Sequence, residues 1–287
     1  MPRPQIASSV ANELDELSRG GGPHSATGAN ASVRLFSEVD LVRRATQITR
    51  EYISLQTDVA RDGRVAIVTA GSPGAGKTTA LRDAGFESAG YREVDADIVK
   101  TMLIRRAIVE GTYSHLLART LPDDRPVRPM ELATLIHRES TEIAANVAAL
   151  SMRRGENVII QGTLAWEDQP RQLLELLDAH EYEDLVILDI EVNLDTALER
   201  VLERWWVARN NPSDALGGRF VPSDLVRGLF VHGPTSVCQA NAEVMFSLSD
   251  RMSTELRISA LVGGVETQTI RRRAGGSREL SPLDTEL

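Results

Sequence analysis

Eight residues in a row, Gly71-Ser72-Pro73-Gly74-Ala75-Gly76-Lys77-Thr78, have the spacing G-x-x-x-x-G-K-[ST], and Thr79 follows directly. Glycines at these positions let successive backbone N–H groups turn inward as an anion nest. A helix that starts at the end of the loop points its positive end at the same place. Lys77 supplies a compact charge for the outer phosphates of a nucleoside triphosphate, and the Thr78 hydroxyl is placed to bind Mg²⁺. ATP binding by residues 71–79 is therefore the first expectation. The loop alone does not separate a kinase from a GTPase or a motor. Neither of the two lysines, Lys77 and Lys100, sits in the N-K-x-D motif with which a GTPase reads its base.

A second cluster lies downstream, in Val94-Asp95-Ala96-Asp97. Period 2 along a strand puts both carboxylates on one side of its end. Beside a phosphate loop, one such carboxylate can accept the proton of an attacking hydroxyl. The competing reading makes one of them the N-cap of the next helix. A third stretch ends in Gln161-Gly162-Thr163, which puts Gln161 and Thr163 at the ligand edge of the sheet. The fourth is a set of arginines, Arg200, Arg204, Arg209 and Arg219, around a polar loop at 210–220 that has the composition of a mobile lid. Arginine suits the charge that builds up on a transferring phosphoryl group. Among the four, Arg204 and Arg219 are preferred.

These residues need a scaffold that carries them to one edge. Val65–Ala70 is a short β-branched run of the kind buried on both faces. Residues 92–95, 157–161 and 185–191 read as further strands, and 243–248 and 255–260 as the last two. Helical stretches fall between them, at 77–83, 98–109, 131–153, 169–179, 195–209 and 222–230. Strands that alternate with helices imply a mostly parallel sheet with helices on both faces, an α/β fold of the P-loop kinase type. Ligands bind such sheets beyond the carboxyl ends of the strands. Residues 1–33 read as a disordered or loosely attached arm. Residues 34–61 form an N-terminal helical extension capped by Ser37. Residues 62–262 make the kinase domain, and 263–287 a polar tail that includes Arg271-Arg272-Arg273.

Composition closes off other classes. The 287 residues carry a net charge of -9, which gives no general attraction to nucleic acid or anionic lipid. One cysteine, Cys238, excludes an internal disulfide and a multi-cysteine zinc site. No apolar run is long enough to span a membrane and no signal-peptide pattern opens the chain. The expectation is a cytoplasmic protein without nucleic-acid or membrane partners. Of its 32 basic residues only two are lysine. Lys77 has a role in the phosphate loop, whereas Lys100 reads as a surface helix residue.

The combination of residues 71–79, 94–97, 157–164, Glu203-Arg204 and 218–222, in this order and at this spacing, resembles the zeta toxin family of P-loop kinases. The resemblance implies phosphorylation of UDP-N-acetylglucosamine on the 3′-hydroxyl of its amino sugar, with ATP and Mg²⁺. It also implies a toxin held inactive by a small helical antitoxin. By position, Lys77 would bind phosphates, Asp97 would be the base, and Thr163 would contact the sugar. Arg204 and Arg219 would stabilise the transferred group. A substrate-contacting glutamate of the long helix would be Glu139, or else Glu142. Gln161 departs from the family, which usually has an acidic residue there, and so loosens the link to that sugar. Another P-loop phosphotransferase, acting on a nucleotide, antibiotic or polynucleotide, and a nucleotide-binding interaction module without turnover are the alternatives. The N-terminal helix is expected to pack on the core and cover one edge of the sheet; the alternative is that, together with the arm, it packs over the ATP cleft as an inhibitor in the same chain.

Overall fold

The computed structural model describes residues 5–275 apart from 62, 87, 88, 232, 234, 263 and 264. Its centre is one six-stranded sheet, β1 (Val65–Ala70), β2 (Arg92–Asp95), β3 (Val158–Gln161), β4 (Asp184–Val192), β5 (Ser253–Val262) and β6 (Val265–Arg273), in the order β2-β3-β1-β4-β5-β6. The first five strands run parallel and β6 pairs antiparallel to β5. β1 lies between β3 and β4, with Ala66 to Val68 opposite residues 158–160 and Ala70 opposite Asp189. Its residues 66–70 are all buried, as its run of β-branched and small side chains requires.

Eleven α-helices are described: α1 (Gln5–Ser18), α2 (Ser32–Leu35), α3 (Glu38–Ser54), α4 (Lys77–Asp83), α5 (Ala96–Glu110), α6 (Ser114–Leu117), α7 (His137–Arg153), α8 (Gln169–Ala179), α9 (Leu194–Arg209), α10 (Ser223–Arg227) and α11 (Val237–Leu248). One apolar core, with Val68 and Ile187 of the sheet, Leu103 of α5, Ile143 of α7 and Met245 of α11, fills one side of the sheet. A smaller core around Ile67, Leu81, Ile159 and Ala197 fills the other. No helix among the described residues is long and apolar enough to cross a membrane.

Four expectations are corrected. Residues 5–18 are a helix, not part of a loose arm. Ala7, Val10, Ala11, Leu14 and Leu17 recur at helical spacing and are buried. Residues 243–248 are the end of α11, not a strand; its helical turn starts upstream, where Ser236 Oγ accepts from Cys238 N–H. The polar segment 265–273 is a sheet strand. Arg272 pairs with Glu255 at 2.5 Å and Arg273 donates to the Ser247 carbonyl at 2.9 Å. The expected long helix at 131–153 begins only at His137, because Pro129–Ile136 winds as a 3₁₀ helix. Residues 1–4 and 276–287, the ends of the expected arm and tail, lie outside the described residues.

Candidate active site

The loop at 71–76 connects β1 to α4 and folds against β4 and α9. Gly71 and Gly74 have φ of 128° and 84°. A Cβ on Gly71 would come within 2.3 Å of the Ile190 carbonyl, and one on Gly74 within 2.7 Å of the Ala197 carbonyl. Any side chain at these positions would push the loop off its seat. Gly71 N–H donates to the Thr163 carbonyl at 3.2 Å, so the loop is tied to the end of β3. Arg200 donates to the Ala75 carbonyl at 3.2 Å from the α9 side. Lys77 Nζ donates to the Gly71 and Ser72 carbonyls at 2.7 and 3.0 Å. Burial lowers its pKa to about 8, and the nearby Arg219 and Arg204 push the same way. Ser72 Oγ is buried with no hydrogen-bond partner among the described residues. Thr78 and Thr79 lie exposed in the first turn of α4. A loop with left-handed glycines at 71, 74 and 76, the Lys77 ammonium and the unspent Ser72 hydroxyl fit a polyphosphate. The exposed Thr78 hydroxyl is one protein oxygen that would suit a magnesium ion there.

Asp95 and Asp97 divide their roles. Asp95 Oδ1 accepts from Asp97 N–H at 2.7 Å and so caps α5. Asp97 stands in the first turn of that helix, which removes the expected pairing of both carboxylates along a strand. Its Oδ2 meets Arg219 at 2.7 Å and its Oδ1 meets Lys100 at 2.9 Å. Burial would raise the Asp97 pKa, but Arg219, Lys100 and Arg204 outweigh it and hold the carboxyl below the usual range. Asp95 shifts the other way, raised by burial and by the charge of Asp97.

Arg204, on α9, is exposed, and the fields of Arg219, Asp97 and Asp95 all reach it. Lys77, Asp97, Arg204 and Arg219 therefore share one electrostatic neighbourhood. Arg209 does not belong to it. Its guanidinium is buried between Asp123 at 2.8 Å and Glu131 at 2.7 Å and ties α9 to the 123–131 segment. The loop at 210–220 is pinned rather than free. Met130 N–H donates to the Leu216 carbonyl at 3.0 Å, and Arg128 donates to the Asp214 carbonyl.

The end of β3 also faces this edge. Thr69 Oγ1 donates to the Gly162 carbonyl and accepts from Gly162 N–H, at 3.2 and 3.0 Å. This clamp fixes the turn that carries Thr163. The amide of Gln161 donates to Glu93 Oε1 on the neighbouring strand, so a carboxylate stays beside position 161 although the residue itself is neutral.

Glu139 is not in the cleft. It is buried and accepts from Arg44 of α3 at 3.0 Å, while Glu142 pairs with Arg138 on the surface at 3.0 Å. The late start of α7 explains the displacement. His137 faces Lys100, Arg219 and Asp97. A residue two positions on points about 200° away around the helix. Burial, then Lys100 and Arg219, lower the His137 pKa to about 4, so the ring is neutral at ordinary pH.

Two residues of the site escaped the sequence reading. Lys100 is buried against Asp97 instead of lying on the surface, and its scarcity in this chain was the available signal. His137 had none, because only the fold brings it to Asp97.

A family model described as zeta toxin matches residues 49–256, more than two-thirds of the chain. A curated Arabidopsis thaliana protein, a calmodulin calcium-dependent NAD kinase, is 32% identical over 112 residues. That stretch covers 39% of this chain and 20% of the relative, so the match spans about a fifth of the plant protein's length. Among solved structures, one from the PezAT chromosomal toxin-antitoxin system of Streptococcus pneumoniae superposes with a TM-score of 0.50 at 18% identity, over 78% of this chain and 77% of that one. A structure of AvrRxo1-ORF1:-ORF2 with ATP gives 0.46 at 15% identity, over 80% and 63%. The likeness to the PezAT protein is one of fold.

Proposed function

This chain belongs to the zeta toxin family and has the frame of a P-loop kinase; from that premise we propose that it transfers the γ-phosphate of ATP to a sugar hydroxyl of a nucleotide-linked small molecule, with Asp97 as general base. The observation that carries the reading is the meeting of Asp97, Arg219 and Arg204 with the Lys77 end of the phosphate loop. Residues 71–79 hold the triphosphate. The Thr78 hydroxyl would help to hold a magnesium ion, which would supply positive charge to offset that of the phosphates. The acceptor O–H gives its proton to Asp97 as its oxygen forms the new P–O bond. The bond to the β-phosphate oxygen breaks and ADP leaves with that electron pair. Arg204 and Arg219 offset the charge spread over the phosphoryl oxygens. Arg219 must then exchange Asp97 for the phosphoryl group.

UDP-N-acetylglucosamine, phosphorylated on the 3′-hydroxyl of the amino sugar, is the acceptor that the family suggests. Thr163 and Gln161 would line its sugar. Glu139 is withdrawn from this role by its burial against Arg44. A second acceptor, NAD, is favoured by the plant relative named an NAD kinase and by the neutral Gln161. Both acceptors present a sugar hydroxyl in a molecule whose two sugars are joined through a diphosphate. The PezAT neighbour comes from a toxin-antitoxin system; a small helical antitoxin, which the family resemblance implies, would restrain the activity here. The test is incubation with ATP and Mg²⁺ and each acceptor in turn, read by mass spectrometry. Gain of one phosphoryl group on either acceptor, lost with Lys77→Ala, is the expected result. ATP bound but transferred to neither acceptor would overturn it.

A further inference from the structure

Lys100 is one of two lysines in a chain with 30 arginines, and it is not placed as a solvated helix residue. Its side chain is 8% exposed, against 40% for that of its partner Asp97. A pair three residues apart on a helix is ordinarily a surface contact of little consequence. Here the lysine is sunk into the protein with its ammonium on Oδ1 of the proposed base. Arg219 takes the other oxygen from the opposite side, at 2.7 Å. The two cations differ in attachment. Lys100 is rooted in α5 on the same helical turn as Asp97, whereas Arg219 comes from the segment after α9, close to Arg204.

We propose that Lys100 is a positioning residue for the phosphoryl transfer, which keeps Asp97 aimed and ionised through Oδ1 while Arg219 leaves Oδ2 for the phosphoryl group and frees that oxygen to take the acceptor proton. The proposal rests on the reading of Asp97 as the base. The charged and titratable groups that face Asp97 are Asp95 ahead of α5, Lys100 within it, His137 of α7, Lys77 of α4, Arg204 of α9 and Arg219. His137 carries no charge at neutral pH, and Lys77 and Arg204 turn to the triphosphate. Once Arg219 moves, Lys100 is, among the described residues, the one cation still bonded to the carboxylate. Without it, burial and the negative charge of Asp95 and of the phosphates would all favour the protonated acid, which cannot accept the hydroxyl proton. Lysine suits this place better than arginine. A single ammonium binds one oxygen, while a guanidinium fork takes both oxygens of a carboxylate and would block the working one.

The experiment compares the pH dependence of kcat for the full chain, Lys100→Met and Lys100→Arg, with nucleotide affinity measured alongside. In Lys100→Met the acid limb should move up by about one pH unit and kcat at neutral pH should fall about tenfold or more, with ATP affinity unchanged. Lys100→Arg should restore the position of the limb while kcat stays low. A limb that stays in place in Lys100→Met, whatever the change in thermal stability, overturns the proposal. Should Lys100→Met not fold, Lys100→Gln, which keeps a donor without the charge, gives the same reading. Asp97→Asn separates the two claims. If it retains full turnover, the base assignment falls and takes this inference with it. If it is inactive while the limb in Lys100→Met is unmoved, only the role of Lys100 falls.

Discussion

Lys77 sits in a place that burial makes unfavourable for a charge, and its pKa drops to about 8 from the ordinary 10.5. Phosphate oxygens favour the charged form, so binding ATP must pull that value back up. The sign follows directly. Well below pH 8 the ammonium is already charged and binding exchanges no proton through it. Above about 8, binding takes up a proton, and affinity weakens as pH rises further. Calorimetric titration with a non-hydrolysable ATP analogue at about pH 9, in two buffers of different ionisation heat, should show net proton uptake. Near pH 6.5 the uptake should vanish, and Lys77→Arg should abolish it throughout. Folding has the opposite sign: a depressed lysine pKa costs stability at low pH, and that cost is released as pH climbs from about 8 towards 10.5. The phosphate loop and Asp97 were legible because each is a local pattern with its own chemistry. Lys100 and His137 were not. The spacing of Lys100 from Asp97 is that of an ordinary surface pair and does not show its burial, and His137 reaches Asp97 only through the packing of α7 on α5.

At the scale of elements, the edge of the sheet is held by α3. Tyr52 donates from its hydroxyl to the Glu93 carbonyl at 3.0 Å and accepts from Asp95 N–H at 2.9 Å. Arg92 donates to the Ile53 carbonyl at 3.0 Å and pairs with the buried Glu156. These contacts satisfy backbone groups that an edge strand would leave open, two residues before the proposed base. Tyr52→Phe should cost about 1–3 kcal/mol in a denaturant titration, because it leaves a buried donor and acceptor unpaired. It should also lower kcat, since the turn that carries Asp97 loses its brace. Unchanged stability and rate would show that α3 is merely a cover. The elements nearest the phosphate loop were readable from the sequence, as were Ser37 as an N-cap and β3 from its apolar run. α11 was misread because Glu243–Leu248 mixes valine, methionine and phenylalanine without showing the helical turn that begins at Ser236. β6 was missed because its side chains are polar on both faces. The Gly263-Gly264 pair before it was the signal of a hairpin.

Across the whole molecule, the N-terminal segment is part of the folded body. α1 buries its apolar stripe, and its Asp15 accepts from Ser223 N–H and Oγ at 2.8 and 2.7 Å, just after the segment that bears Arg219. α3 packs on α5 and α7 and against the β2 edge, which favours the expected cover of one sheet edge over the alternative of a cover on the nucleotide cleft. Deleting residues 1–60 should therefore lower both the melting temperature and turnover. A rise in activity on deletion would restore the view of a built-in inhibitor. The glycine run at 20–22 hid α1 from the sequence reading, because it suggested a loose end where the chain only turns.

The chemistry turns on Asp97 taking the acceptor's proton in phosphoryl transfer. Single-turnover transfer with Asp97→Asn, measured beside nucleotide affinity, tests it most directly. Transfer from ATP to the acceptor should fall by about 10²–10⁴-fold while ATP still binds. Transfer at the unaltered rate would contradict it.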